Sequence, residues 1–213
     1  RLDTQGKKVY TDQGDEISYD RLLIATGAES FIPPVGNLRE AENVFGLRHL
    51  RDAQAIDALA KDAENIVIIG SGLVGLDAAY GLMETGKKVS IVEMADQILP
   101  VQLDKTAASE YQKRFEKAGA VFYLGRKAAD TIMGEDKIIR EIILDNGEKL
   151  PCDLIIVAAG VRSAVAGMEG EGIVIDRGIK VDDYLQTGAE GIYAAGDVTG
   201  LSGIWPNAQK QGE

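Results

Sequence analysis

Residues 66–93 read IVIIGSGLVGLDAAYGLMETGKKVSIVE. An apolar run at 66–69 stops at Gly70, and an apolar helical pattern over 73–85 leads to a second apolar run, KVSIVE, at 88–93. Short apolar runs bounded by glycine read as buried strands, so the stretch predicts strand, tight turn, helix and strand, a βαβ unit. Gly70, Gly72 and Gly75 set the spacing G-x-G-x-x-G at the turn. In a chain with 25 glycines that spacing alone is weak evidence. Its place between an apolar strand and a helix is what anion binding requires. Gly70 permits the sharp turn, Gly72 has no Cβ to block a pyrophosphate, and Gly75 lets the helix approach the strand. The unpaired N–H groups at the helix start, around Leu73 and Val74, would face the anion. A βαβ unit without any ligand is the plain alternative.

Glu93 ends the second strand, 18 residues after Gly75. A carboxylate there can accept both ribose hydroxyls of an adenosine, whereas a 2′-phosphate would meet its negative charge. The continuation Met94-Ala95-Asp96 contains no cation. The expected ligand is therefore NADH in preference to NADPH. Lys87 and Lys88 precede the strand and read as solvated turn residues.

Outward from this unit, 50–63 and 103–119 have helical periodicity, while 65–70, 120–125 and 152–160 read as strands. Residues 8–11 and 17–18 form a hairpin signal, and a second one spans 137–150 around Asp145-Asn146-Gly147. ESFIPPVGN (29–37) reads as a linker. Strands alternate with helices from 65 onward, so the fold class is α/β with a mainly parallel sheet and a hairpin or meander.

The chain has 213 residues, enough for one large domain or two small ones. Its net charge of −11 disfavours nucleic acid and anionic membranes as partners. No apolar run reaches membrane-spanning length. A lone Cys152 cannot form an internal disulfide, which fits a reducing cytoplasm. Its apolar surroundings, PCDLIIVA, predict a buried packing residue, and His49, the single histidine, has no partner that would give it a catalytic role.

DQGDEISYDRLLIATG (12–27) aligns without a gap with DNGEKLPCDLIIVAAG (145–160). Asp12, Gly14, Asp20, Ala25 and Gly27 recur as Asp145, Gly147, Asp153, Ala158 and Gly160. The second copy closes a module that opens near residue 65. An equivalent opening for the first copy would precede Arg1, so the chain is expected to be a fragment.

These residues together resemble the FAD- and NAD-dependent pyridine nucleotide–disulfide oxidoreductases, in which an NAD domain interrupts an FAD domain of the same architecture. LLIATG (22–27) resembles the segment where the chain leaves the FAD domain, and GIYAAGDV (191–198) the second FAD signature. VFGLRHLRDAQAI (44–56) and VEMADQILPVQLD (92–104) also resemble family segments. The resemblance implies a Rossmann-like NAD-binding domain at 34–160 inside an incomplete FAD-binding domain, 1–33 and 161–213. It implies FAD contacts at Thr26, Gly27, Gly196 and Asp197, and NAD contacts at Asp77 and Gly160 besides the turn residues. Asp77 stands where the family usually has Glu, and its other role would be a first-turn carboxylate facing the helix dipole. Arg162-Ser163-Ala164 stands where the family often has Arg-Pro-Asn. The closing WPNAQKQGE (205–213) resembles a helix behind the flavin in rubredoxin-reductase-like and nitrite-reductase-like flavoproteins. There Trp205 and Gln209 would lie near the flavin, or Trp205 would instead anchor the helix start in the core.

The implied activity is hydride transfer from NADH to FAD, then electron delivery to an acceptor such as a small redox protein, with no protein acid or base needed for the transfer. A homo-oligomer is expected for the intact protein. Two other functional classes stay open: an NAD-binding module without turnover, and a redox-sensing interaction protein.

Overall fold

A computed structural model describes residues 1–213. The N-terminal stretch forms β1 (Leu2–Asp3), β2 (Lys8–Tyr10), β3 (Glu16–Ser18), β4 (Leu22–Ile24) and β5 (Ala28–Ser30). An alternating stretch follows, with β6 (Val44–Gly46), α1 (Leu50–Ala60), β7 (Asn65–Ile69), α2 (Leu73–Glu84), β8 (Lys88–Glu93), α3 (Lys105–Lys117) and β9 (Val121–Leu124). Next come β10 (Ala128–Met133), β11 (Ile139–Leu144), β12 (Lys149–Pro151) and β13 (Leu154–Val157). The chain closes with β14 (Val161–Ser163), β15 (Ile192–Ala194), a 3-10 turn (Gly196–Thr199) and α4 (Trp205–Gly212). Two compact units result: Ser30–Gly160, and Arg1–Glu29 together with Val161–Glu213.

In the Ser30–Gly160 unit, five parallel strands lie in the order β6-β13-β7-β8-β9. Side chains alternate across a strand, so each face has its own core. Ile66, Ile68, Ile91, Leu154 and Ile156 pack with Ile56 of α1, Leu76, Ala79 and Leu82 of α2, and Ala108 of α3. Val67, Val92, Ile155 and Val157 pack on the other face with Ile139, Ile142 and Leu144 of the antiparallel meander β10-β11-β12. Burial on both faces explains why 66–69 and 154–157 are continuously apolar. Each fully buried isoleucine contributes roughly 1.5–3 kcal/mol.

Polar groups fix the ends of these elements. Asp52 accepts the N–H groups of His49 (2.8 Å) and Arg48 (3.0 Å) at the start of α1, so His49 serves as a helix cap. Lys87 Nζ donates to the carbonyl of Ala63 (2.8 Å) and that of Lys61 (3.2 Å) just past α1, a specific contact where a solvated side chain was expected. Asn43 is fully buried before β6. Its side chain donates to the carbonyls of Ile139 (2.9 Å) and Asp153 (3.0 Å) and accepts the Ile139 N–H (3.0 Å). It thereby ties the meander to the parallel sheet.

The other unit has its own antiparallel meander, β1-β2-β3, and a parallel pair, β4 with β15. Ile24, Ile179, Ile192, Ala194 and Val198 form its core. The sequence echo therefore has a structural basis. In each unit a meander leads into a parallel strand, with glycines of positive φ at matching points: Gly14 (+90°) and Gly147 (+84°), Gly27 (+73°) and Gly160 (+95°).

The compact unit starts at Ser30, where the Phe31 N–H donates to the Gly160 carbonyl (2.9 Å) and Ile32 packs on the meander core. After Gly125, where the sequence carries no assigned element, β10 completes the meander. Trp205 does not anchor α4 in the core, being 76% exposed. Instead Gln211 Oε1 accepts the Gly196 N–H (2.6 Å).

Asn43→Ala removes three hydrogen bonds from a buried position. It should cost about 2–3 kcal/mol in a urea-unfolding measurement. Cys152 is buried, and its thiol is pushed up to about 12, first by burial and then by the Asp153 and Glu141 carboxylates. At pH 8 its thiolate is scarce, so a thiol reagent should label it only as fast as the protein unfolds.

Candidate functional site

The turn leaving β7 is shaped by backbone contacts that exclude side chains. Gly70 has φ +106°, its N–H donates to the Val92 carbonyl (2.8 Å), and a Cβ there would lie 2.5 Å from the Ala158 carbonyl oxygen. A Cβ on Gly75 would run into the Gly70 carbonyl. Gly72 differs from both. It is the residue capping α2, with ordinary dihedrals (φ −71°, ψ −179°), and a Cβ on it would meet nothing within 4 Å. No side chain caps this helix and no acidic residue lies in its first turn. Its first N–H groups and the positive end of its dipole are therefore available to an anion.

Glu93 closes the turn from the side. Its Oε2 accepts both the N–H and the Oγ–H of Ser71, each at 2.8 Å, and its Oε1 accepts the Ala95 N–H (2.8 Å). Ser71 is fully buried, and its carbonyl accepts the N–H of Leu99 (3.1 Å), a buried residue held at φ +48°. The carboxylate thus stands at the turn, as expected from the spacing, but three of its roughly four acceptor positions are already engaged.

Gly70, Gly72 and Glu93 line one cavity of about 520 Å³, with Ala158 and Ala159 behind them and apolar walls that include Phe31, Val92 and Met94. Its size and mostly apolar lining suit a small organic ligand. Arg126 and Lys127 line it too. No cation follows Glu93 directly in the sequence, but β9 runs beside β8 and brings Arg126 to it, the Arg126 N–H donating to the Glu93 carbonyl (3.0 Å).

The remaining expected residues are dispersed. Leu73 and Val74 are exposed at the start of α2, 57% and 47%, and Gly75 is buried under it. Asp77 is exposed at the fifth helical position, beyond the first turn, so it cannot act as a first-turn carboxylate. Gly160 ends its unit with open space where a Cβ would stand. In the other unit Thr26 Oγ1 donates to the Ala164 carbonyl (2.6 Å), and the Gly27 carbonyl accepts the Ala164 N–H (2.9 Å). Asp197 follows Gly196 (φ +79°) and lines a cavity of about 540 Å³ with Arg162, Ser163 and Arg177. Thr26 lines a smaller one, about 190 Å³, with Leu22 and Met168. Thus Thr26 and Asp197 share a unit but not a cavity.

Ser71, Arg126 and Lys127 escaped the sequence reading. Ser71 had one visible sign, a hydroxyl at the variable place inside G-x-G. Arg126 follows the Gly that ends a predicted strand, and only the strand order brings it to Glu93.

A family model for pyridine nucleotide-disulphide oxidoreductases matches residues 1–212. The chain belongs to that family. An assimilatory nitrate reductase electron transfer subunit of Bacillus subtilis (strain 168) is 38% identical over 197 residues, covering 92% of this chain and 25% of that protein. A NAD-dependent persulfide reductase from A. fulgidus superposes with a TM-score of 0.88 at 30% identity, covering 99% of this chain and 41% of that one. A FAD-dependent pyridine nucleotide-disulphide oxidoreductase from Desulfovibrio vulgaris gives a TM-score of 0.82 at 29% identity, covering 99% of this chain and 57% of that one. The chain therefore spans a quarter to somewhat over half the length of these relatives. The fold is Rossmann-like α/β, and no helix is long and apolar enough to cross a membrane.

The residues present fit part of an FAD. The 540 Å³ cavity gathers the Asp197 carboxylate and the Arg162 and Arg177 guanidinium groups, the polar and charged chemistry that a polyol chain and a pyrophosphate require.

Gly75→Ala and Gly72→Ser should separate packing from ligand space. Alanine normally gains about 1 kcal/mol over glycine inside a helix. At 75 the collision with the Gly70 backbone should outweigh that gain and lower the thermal midpoint. Serine at 72 is a good helix cap in open space and should leave the midpoint unchanged or slightly raised.

Proposed function

We propose that this chain is the nicotinamide-binding portion, with part of the flavin-binding portion, of an NADH-dependent flavoprotein oxidoreductase. The Ser30–Gly160 unit is the NAD-binding domain, and Arg1–Glu29 with Val161–Glu213 belongs to the FAD-binding domain. In this assignment Gly70, Gly72, Leu73, Val74 and Gly75 receive the pyrophosphate and Glu93 meets the adenosine ribose. Asp77 and Gly160 complete the NAD contacts, while Thr26, Gly27, Gly196 and Asp197 belong to the FAD site.

The observation that carries the proposal is the turn itself. Of the three glycines of the turn only Gly72 has free space in front of it, and it starts an uncapped helix beside a carboxylate at the mouth of an apolar cavity. Gly72 lets the pyrophosphate approach the backbone, and the α2 N–H groups donate to it. The charge of Glu93 favours a ribose hydroxyl over a 2′-phosphate, which supports NADH over NADPH. Bound FAD supplies the two-electron acceptor. The residues of this chain bind and orient, and none is assigned a proton-transfer role. The relative's name, electron transfer subunit, supports a small redox protein as the final acceptor.

Titration with NADH, followed by nicotinamide fluorescence, should show saturable binding to the chain. Gly72→Ser should bind at least about tenfold more weakly at an unchanged thermal midpoint. Equal affinity in the variant, or no binding by the parent chain, would reject the pyrophosphate site. The intact protein should be yellow and should bleach with NADH under anaerobic conditions; a colourless protein contradicts the flavoprotein assignment.

A further inference from the structure

We propose that Arg126 and Lys127 form a latent phosphate-accepting wall at the adenosine end of the cavity, so that the charge of Glu93 alone keeps the site on NADH. The proposal rests on the assignment of this cavity to a nicotinamide dinucleotide.

The backbone places these residues firmly. The Gly125 N–H donates to the Ala95 carbonyl (2.8 Å) and the Arg126 N–H to the Glu93 carbonyl (3.0 Å). Residues 125–126 are thus stitched to the segment that carries the carboxylate. Arg126 and Lys127 are exposed, line the same cavity as Glu93 and take part in none of the ion pairs of the protein. Two exposed cations outside these ion pairs thus line the cavity together with one carboxylate.

That carboxylate is also heavily engaged. With Ser71 and Ala95 holding three of about four acceptor positions, it has room for about one ribose hydroxyl. Its discrimination against a 2′-phosphate is therefore mainly charge repulsion rather than a pair of exchanged hydrogen bonds. Met94 and Val101, 74% and 88% exposed, line the cavity on this side and offer apolar surface to an adenine. An adenosine held there puts its ribose near Glu93. A phosphate on that ribose would face Arg126, whose planar fork pairs with phosphate through two parallel hydrogen bonds. Loss of the Glu93 charge would leave both cations without a counter-charge in this corner.

Adenosine 5′-monophosphate and adenosine 2′,5′-bisphosphate differ only in the 2′-phosphate and isolate this end of the ligand. Calorimetric titration of the full chain with both probes tests the wall directly. Glu93→Gln should raise affinity for the bisphosphate relative to the monophosphate by about tenfold or more. Adding Arg126→Ala and Lys127→Ala to that variant should abolish the gain, and raising the salt concentration should shrink it. A gain that survives loss of both cations overturns the proposal, as does its absence in a Glu93→Gln protein that still binds the monophosphate. Should Glu93→Gln fail to fold, Arg126→Ala with Lys127→Ala in the parent chain serves instead. That variant should lose about tenfold in affinity for NADPH and less than threefold for NADH; equal losses refute the proposal. Binding of neither probe nor NADH by the parent chain would instead reject the dinucleotide assignment itself.

Discussion

The carboxylate of Glu93 holds the turn between β7 and α2 through both hydrogen-bonding groups of Ser71. That small contact fixes much else. It joins the ends of two adjacent parallel strands and gives a fully buried hydroxyl its partner. It also leaves the opening N–H groups of α2 facing an open cavity, while Gly70 and Gly75 press against backbone behind it. Buried hydroxyls without partners are costly, so the turn and the strand end stabilise one geometry together. The same carboxylate then serves two purposes, support for the turn and a negative charge at the cavity mouth.

The two units show how one local solution can be used twice. Each has a three-stranded antiparallel meander that delivers the chain into a parallel strand, and each uses glycine with positive φ at the hairpin and after that strand. The repeated D-x-G and A-x-G residues are those that the backbone requires. Side chains between them diverge because each unit packs a different core, Ile142 and Leu150 in one and Leu2 and Ile192 in the other.

The βαβ unit was legible in the sequence because its strands are buried on both faces and its glycines punctuate them. Glu93 was legible because a strand of known length places its last residue at the mouth of the turn. Neither Ser71 nor Arg126 could be read in the same way. The hydroxyl of Ser71 matters through a partner 22 residues away, and Arg126 reaches the site through strand order, which local pattern does not encode. Element ends also drifted: α1 stops at Ala60 and α3 begins at Lys105, both inside the periodic windows that announced them. Helix termini depend on capping and packing, and Trp205 shows the limit of the pattern. An aromatic at a helix start suggests an anchor, yet here a glutamine six residues on makes the attachment.

Backbone amide chemical-shift mapping on addition of NADH tests the central claim most directly, since it reports on the N–H groups themselves. The largest changes should fall on Gly72, Leu73 and Val74, with smaller ones at Ser71 and Glu93. Changes confined to residues outside 66–102 and 125–128, with the turn amides unmoved, would contradict the account.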